Sequence, residues 1–278
     1  NNYVSFNNEL WRIIGVFGNN VKLVRSETLG KLSWDSSDST INSGQGVNEW
    51  SQADLKNYLN TMYYGGTEVT CYGGQNNSTT TCPTNRLDDA SKTLIDNHTW
   101  NTGAIATIAN QETFALNTVP FYKAERGNET GKICSSGGWC NDTVTRTTTW
   151  TGYIGLPYVT DWAYASSESA CETNMNAGYN ATASSDDEAL ANMTCKNNNW
   201  MHHGTTMDIE DATWVLSPVA YPGRAYGVWV VYGDGLVDDS SCATLPLSAF
   251  PTIYLKSNIL IESGKGTSSN PYILKAGS

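Results

Sequence analysis

The chain has 278 residues, and its 27 acidic side chains outnumber its 16 basic ones, which gives a formal net charge of −11. This surplus of carboxylates excludes nucleic-acid binding as the expected function, because counterion release needs clustered Lys and Arg side chains, and it disfavours an anionic membrane as a partner. Only 15% of the residues are charged, and no stretch approaches 18 apolar residues, so we expect an exported protein with a polar surface and no membrane contact within this segment.

The first 25 residues predict an antiparallel meander. Strand patterns cover residues 3–6, 10–17 and 21–25, and a Gly-Asn-Asn turn precedes the third of them. Because Asn1 opens almost directly onto the first strand, we expect that the chain has been processed or trimmed.

Helices are predicted between the meander and the second half of the chain. A capping box formed by Ser51 and Asp54 opens the clearest one. Its inward face is formed by Leu55, Leu59, Met62 and Tyr63. A second helix is predicted over residues 86–97, with Leu87, Ala90, Leu94 and Ile95 inward, and a third over residues 105–116.

The second half of the chain is predicted to be mostly β-structure. A buried strand over residues 149–156 stops at Pro157, a helical turn covers residues 161–165, and Ser185 with Glu188 forms a second capping box. Further strands are predicted over residues 213–216, 226–232, 252–255 and 272–274.

Strands at both ends of the chain, with helices between them, predict one α+β domain over residues 1–278 with antiparallel sheets and two or three helices. A hinge near residue 145 is the alternative. It would separate the meander and helices of residues 1–145 from a β-rich part over residues 146–278.

Seven cysteines form three close pairs and one remainder, Cys242. The pairs are Cys71 with Cys82, Cys134 with Cys140, and Cys171 with Cys195. Each pair lies in a loop-like stretch, so we predict three disulfides, which closes loops of 12, 7 and 25 residues and implies an oxidising, extracytoplasmic location. Zinc binding is disfavoured because no Cys-x-x-Cys motif occurs. Three alternatives stay open for Cys242: a buried thiol, a free thiol, or a bond between chains.

Candidate metal ligands are few, and the sequence predicts neither a metal nor another cofactor. His202 and His203 are adjacent, so on an extended segment they point to opposite sides. Acidic clusters at residues 35–38, 186–188 and 238–239 would suit calcium, but none has the residue order of an EF-hand loop. Plain loop or helix-cap roles are the alternative interpretation of these clusters.

No sequence motif for a nucleophilic serine, a phosphate-binding loop or a dinucleotide site occurs. The absence favours a non-catalytic binding function over an enzyme.

The segment over residues 219–250 is predicted to form a ligand-binding surface, because Tyr, Trp and Arg side chains give contact area at low entropic cost. The predicted ligand-binding side chains are Tyr221, Arg224, Tyr226, Trp229, Tyr232, Asp234, Asp238, Asp239 and Leu245. Residues 236–247 are interpreted as a surface loop, with Leu245 and Leu247 partly exposed. Val228, Val230 and Val231 are interpreted as a core strand.

Motifs spread over nearly the whole chain carry a resemblance to a known group of proteins. They lie at residues 3–15, 47–55, 131–134, 147–152, 214–218, 253–258 and 270–272. The chain resembles a family of exported, pilin-like surface proteins of low-GC Gram-positive gut bacteria. The resemblance implies display on a bacterial cell surface or on a pilus.

The last third of the chain, with its Trp214-x-x-Ser217 strand, is similar to the C-type-lectin-like fold of formylglycine-generating-enzyme-like domains. Phe250-Pro251 stands where that fold has an Arg-Pro, and the catalytic cysteines have no counterpart here. Proteins of this fold include the variable proteins of diversity-generating retroelements, which implies a hypervariable face over residues 219–250. That segment contains no Asn, in a chain otherwise rich in Asn.

These observations predict a non-catalytic, extracellular, adhesin-type domain that binds a protein or glycan ligand on another cell or surface. One alternative is a pilin-like filament subunit whose partners are other copies of itself. The other alternative is a hydrolase of surface glycans.

Overall fold

The structure is a computed structural model that describes residues 1–37, 44–105, 116–126, 146–180, 182–202, 211–220 and 225–277, without the side chains of Asp186 and Ser240. Its architecture is mixed α+β, with mostly antiparallel sheets and short helices, which confirms the predicted class.

The strands are β1 Tyr3–Phe6, β2 Glu9–Phe17, β3 Asn20–Arg25, β4 Lys31–Leu32, β5 Cys71–Tyr72, β6 Thr79–Thr80, β7 His98–Asn101, β8 Thr149–Gly152, β9 Ile154–Gly155, β10 Thr213–Pro218, β11 Gly227–Val231, β12 Val237–Cys242, β13 Leu247–Ser248, β14 Thr252–Tyr254, β15 Ile259–Ser263 and β16 Tyr272–Ala276. The α-helices are α1 Asp54–Asn57, α2 Asp89–Lys92, α3 Thr118–Arg126, α4 Val159–Tyr164 and α5 Asp186–Leu190. Short 3₁₀ turns cover Trp50–Gln52 and Ser169–Glu172.

The larger sheet joins the two ends of the described chain. Its strand order is β15-β16-β1-β2-β3-β14-β9, and β1 pairs in parallel with β16, with Val4 opposite Tyr272. The predicted meander is confirmed, since β2 pairs antiparallel with both β1 and β3. The sheet therefore combines strands that precede residue 145 with strands that follow it.

The second sheet has the order β12-β11-β10-β13-β4 and contains the predicted strands near residues 213 and 226. The prediction of a surface loop over residues 236–247 was wrong, because β12 pairs antiparallel with β11, and Leu247 in β13 is buried. The side chains of β12 are mostly polar, and this composition suggested a loop. The backbone N–H and C=O groups of β12 are nevertheless satisfied by strand pairing, which does not depend on the side chains.

Tryptophans fill the core on the faces of these sheets. Trp34 and Trp214 are fully buried, and each indole N–H donates to a backbone carbonyl, of Val215 and Leu32 respectively. The ring of Trp50 packs on that of Trp34 at a centroid distance of 5.2 Å. Burial of such large rings removes much apolar surface from water, and the indole N–H groups of Trp34 and Trp214 keep hydrogen-bond partners in the core.

The clearest predicted helix is confirmed, but its capping box is not. α1 continues as π-helical turns over Tyr58–Tyr64, and the predicted apolar side chains are buried on one face. The N–H of Ser51 bonds to Glu49, and the Asp54 carboxylate accepts from the N–H and the hydroxyl of Ser36. Asp54 therefore tethers a distant loop instead of capping its own helix.

The helix predicted over residues 86–97 is much shorter, because the backbone at both of its predicted ends pairs with distant parts of the chain. Leu87 N–H donates to the carbonyl of Tyr63, and Ile95 forms a β-bridge with Leu255. Only α2 remains helical, with Ala90 exposed and Ser91 buried in place of the predicted inward Ala90.

The strand predicted over residues 149–156 is divided between two sheets. β8 pairs with β7, with Trp100 opposite Trp150, whereas β9 pairs with β14, with Ile154 opposite Ile253. The helical turn predicted near residue 161 is confirmed as α4, and Ser185 caps α5 by accepting from the N–H of Glu188.

Two of the three predicted disulfides are confirmed, Cys71–Cys82 and Cys171–Cys195. Cys134 and Cys140 lie outside the described residues. The Sγ atom of Cys242 lies 3.2 Å from Oε1 of Gln45. Among the helices of the described residues, none is long and apolar enough to cross a lipid bilayer.

Candidate functional site

The predicted ligand-binding face is partly interior. Trp229 is 1% exposed, its ring packs edge-to-face on Phe121, and its indole N–H donates to the carbonyl of Ile105. Asp234 is buried, and its Oδ1 accepts the N–H of Leu236 in the turn between β11 and β12. These contacts give Trp229 a core role and Asp234 a turn role.

The other predicted residues of this face differ in placement. Asp238 is buried in β12, whereas Tyr226, Tyr232, Asp239 and Leu245 are half-buried. Tyr221 and Arg224 lie outside the described residues. Ligand binding at this face stays a prediction.

An open cavity of about 360 Å³ lies elsewhere, where α3 faces the turn between β2 and β3. We call it the aromatic cleft. It is lined by Val16, Phe17, Gly18, His98, Thr99, Asn101, Tyr122, Glu125, Arg126, Tyr158 and Tyr254. Five of these side chains are aromatic, and Thr99, Asn101, Glu125 and Arg126 add polar groups to the lining.

A second cavity of about 210 Å³ adjoins the aromatic cleft and shares Val16, Phe17, Tyr122 and Arg126 with it. The mouth of the pair carries large apolar side chains that are open to solvent. Val16 is 67% exposed, Tyr122 44% and Tyr164 73%. Clustered exposure of this kind marks a contact surface more often than single exposed residues do.

Arg126, the last residue of α3, lines both cavities. Its guanidinium forms an ion pair with Oδ1 of Asp161, and its Cζ atom lies 3.9 Å from the ring centroid of Phe17. Burial alone would lower the pKa of Arg126, but the charge of Asp161, together with smaller contributions from Glu125 and two neighbouring tyrosines, outweighs burial and raises it, so the group stays charged. Among the described residues, its buried Nε atom has no hydrogen-bond partner, which leaves one donor for a further acceptor.

Lys22 lies beneath the cleft and does not line it. Its Nζ atom lies 2.5 Å from Oδ2 of Asp161, and both side chains are fully buried. Burial, assisted by the nearby Arg126, lowers the pKa of Lys22 to about 7. Burial also disfavours the charge on Asp161, but Arg126 and Lys22 outweigh it, so the pKa of Asp161 is lowered.

Glu125 holds the start of α4 against α3. Its carboxylate accepts the N–H groups of Val159 and Thr160 at 3.0 Å, and also the hydroxyls of Thr160 and Ser217. Burial raises the pKa of Glu125, although these hydrogen bonds oppose the shift. The carboxylate is therefore occupied by donors that position the helix.

The opposite wall of the cleft is built around His98. Its ring stacks on Tyr254 at a centroid distance of 3.7 Å, and its Nδ1 atom lies 3.0 Å from Oδ2 of Asp96. Burial raises the pKa of the Tyr254 hydroxyl, so it stays protonated. Asp96 thus orients a planar ring that lines the cleft.

Sequence reasoning missed this cleft. α3 was not predicted, and the helix predicted over residues 105–116 lies mostly outside the described residues, with Ile105 in a β-bridge to Val219. One usable signal was present: Lys22 stands between the apolar residues Val21 and Leu23 of a predicted strand, which indicates a charge that needs a partner if the strand is buried.

The described residues contain no group of three or more side chains suited to hold a metal ion. Asp35 accepts from the hydroxyl of Ser37 and from the N–H of Val47, so its carboxylate closes a loop. Asp38 and His203 lie outside the described residues.

No protein-family model matches the chain, and neither a curated protein nor a solved structure matches it.

Proposed function

We propose that this chain is a non-catalytic, extracellular domain of adhesin type that binds its ligand in the aromatic cleft. The observation that carries the proposal is the pair of adjoining cavities, with aromatic walls and with Val16, Tyr122 and Tyr164 exposed at the mouth. Small-ligand sites are usually concave and combine aromatic or apolar side chains with fixed polar groups.

The chemistry of the wall favours a glycan as the ligand. Ring faces of Phe17, Tyr122 and Tyr164 offer flat apolar contacts, and the amide and hydroxyl groups of the lining supply donors and acceptors. The charged lining residues, Glu125 and Arg126, have opposite signs, so the site gives little preference to a charged ligand. An uncharged sugar unit, with one apolar face and several hydroxyls, fits these features.

Binding is favoured over glycan hydrolysis by the state of the carboxylates. A glycosidase needs one acid that can donate a proton and a second carboxylate facing the sugar. Glu125 is occupied by four donors, and Asp161 is buried between Lys22 and Arg126. Neither carboxylate has an oxygen left to act on a ligand.

Display outside the cell is supported by the two disulfides, because such bonds persist in oxidising compartments. The mixed α+β architecture is compatible with the C-type-lectin-like fold that the sequence resembles, and with display on a bacterial surface or pilus. In that arrangement the hypervariable face over residues 219–250 is a second location for the ligand.

A glycan microarray with the fluorescently labelled chain tests the proposal. We expect binding to a subset of neutral glycans, with a loss of at least about tenfold in affinity for Tyr122→Ala and for Tyr164→Ala. Leu260→Ala is the matched control, because Leu260 is also exposed but lies in β15, away from the cleft.

Two results would overturn the assignment. One is binding that survives both tyrosine changes but is lost in Tyr226→Ala or Asp239→Ala, which would move the site to residues 219–250. The other is the absence of binding to any glycan on the array.

A further inference from the structure

The ion pair beneath the cleft joins two distant parts of the chain. Lys22 lies in β3 and Asp161 in the first turns of α4. Their side-chain atoms Nζ and Oδ2 are 2.5 Å apart, and both side chains are fully buried. Because a carboxyl C–O bond is about 1.2 Å long, the distance from Nζ to the carboxyl carbon exceeds the distance from Nζ to Oδ2 by at most that length. Groups held at such short range react with high effective concentration.

The surroundings of Lys22 favour its uncharged amine. Its Nζ atom lies 4.2 Å from the ring centroid of Tyr158, and the rings of Trp100, Tyr254 and Phe17 complete an aromatic enclosure at 5.2 to 5.9 Å. Burial lowers the pKa of Lys22 to about 7. A neutral amine carries the lone pair that an attack on a carboxyl carbon requires.

The two oxygens of Asp161 are held differently. Oδ1 receives the guanidinium of Arg126, whereas Oδ2 faces Lys22 and accepts the N–H of Tyr158 at 2.8 Å. A cation at Oδ1 polarises the carboxyl group and stabilises negative charge that develops on that oxygen during attack. Oδ2 is placed to take a proton from Nζ and to leave.

We propose that Lys22 and Asp161 condense into an intramolecular amide cross-link. A proton passes from the Lys22 ammonium to Oδ2, which gives an amine and a carboxylic acid. Nζ then attacks Cγ, the new C–N bond forms and the Cγ–Oδ2 bond breaks. A second proton from Nζ joins the leaving oxygen, so one water molecule is released and no oxidant is needed.

Burial also favours the product over the ion pair. A charged pair in a dry interior loses hydration that its mutual attraction only partly replaces. The amide carries no net charge, and the carboxylate of Glu125 still interacts favourably with the charge of Arg126. The cross-link would tie β3 to α4 and so fix the inner wall of the cleft, independently of whether a ligand binds there.

Intact mass spectrometry of the reduced, denatured chain tests the proposal. We expect the wild-type mass to be lower than the calculated mass by one water molecule. A proteolytic digest should contain one branched peptide that joins the segment around Lys22 to the segment around Asp161. The Lys22→Met variant is the control and should have its full calculated mass.

A second variant tests the cross-link if Lys22→Met fails to fold. Asp161→Asn presents an amide carbon to the same amine, so the condensation should release ammonia in place of water. A mass lower by one ammonia, with the same branched peptide, supports the proposal. A wild-type chain of full mass whose two peptides separate after digestion overturns it.

Discussion

Glu125 Oε2 accepts both the N–H of Thr160, at 3.0 Å, and the hydroxyl of the same residue. This double contact fixes the first turn of α4 against the last turn of α3. Because Asp161 follows Thr160 and Arg126 follows Glu125, it also brings the two charged groups together beneath the cleft. The buried carboxylate therefore organises the walls of the cleft through the donors that it accepts.

Glu125→Gln should destabilise the chain by roughly 1–3 kcal/mol, because the amide NH₂ of glutamine would face N–H and O–H donors that now meet a carboxylate oxygen. Denaturant unfolding followed by tryptophan fluorescence measures the change. Glu262→Gln is the matched control at an exposed position, and it should stay within about 0.5 kcal/mol of the wild type. Equal stability of both variants would show that Glu125 does not hold α4.

Gly155→Ala should destabilise the chain through a steric clash with Trp100. A Cβ atom at Gly155 would lie 2.8 Å from Cζ3 of the Trp100 ring, which is itself fully buried. We expect a loss of about 1–3 kcal/mol in the free energy of unfolding, as for other overpacked sites.

Trp100→Leu provides the test of that cause. In this background the clashing ring atoms are gone, so the added cost of Gly155→Ala should shrink in a double-mutant cycle. The same cost in both backgrounds would place the effect in the backbone of β9 instead.

The local parts of the fold could be predicted from sequence. β1 to β3 follow from alternating apolar residues and a glycine turn, and the buried face of residues 54–64 follows from its apolar spacing. Predictions failed where distant contacts decide the outcome. Residues 86–97 have a helical pattern, yet pairing of Ile95 with Leu255 ends the helix early.

The cleft could not be predicted because its walls come from separate parts of the chain. Phe17, His98, Arg126, Tyr158 and Tyr254 belong to different elements, and no local pattern links them. Trp229 is a residue that was predicted to contact a ligand but lies in the core. Aromatic character suggested a ligand contact, but β11 is covered on that side by Phe121, so the ring serves the core.

The pH dependence of stability gives an independent view of the Lys22–Asp161 pair. An unlinked Lys22 would have a folded pKa of about 7 against an ordinary value of 10.5. Between these values the unfolded chain binds a proton that the folded chain does not, so the free energy of unfolding rises with pH. The slope from this one group is at most roughly 1.4 kcal/mol per pH unit.

An amide nitrogen does not titrate, so the cross-linked chain should lack this contribution. We expect wild type and Lys22→Met to show the same slope of unfolding free energy from about pH 7 to pH 9, the range in which the slope of an unlinked Lys22 would appear. Denaturant titrations at constant ionic strength measure both slopes, and taking their difference cancels the other titrating groups. A steeper rise in wild type would mean that Lys22 keeps a free amine, and the pair would then be an ion pair only.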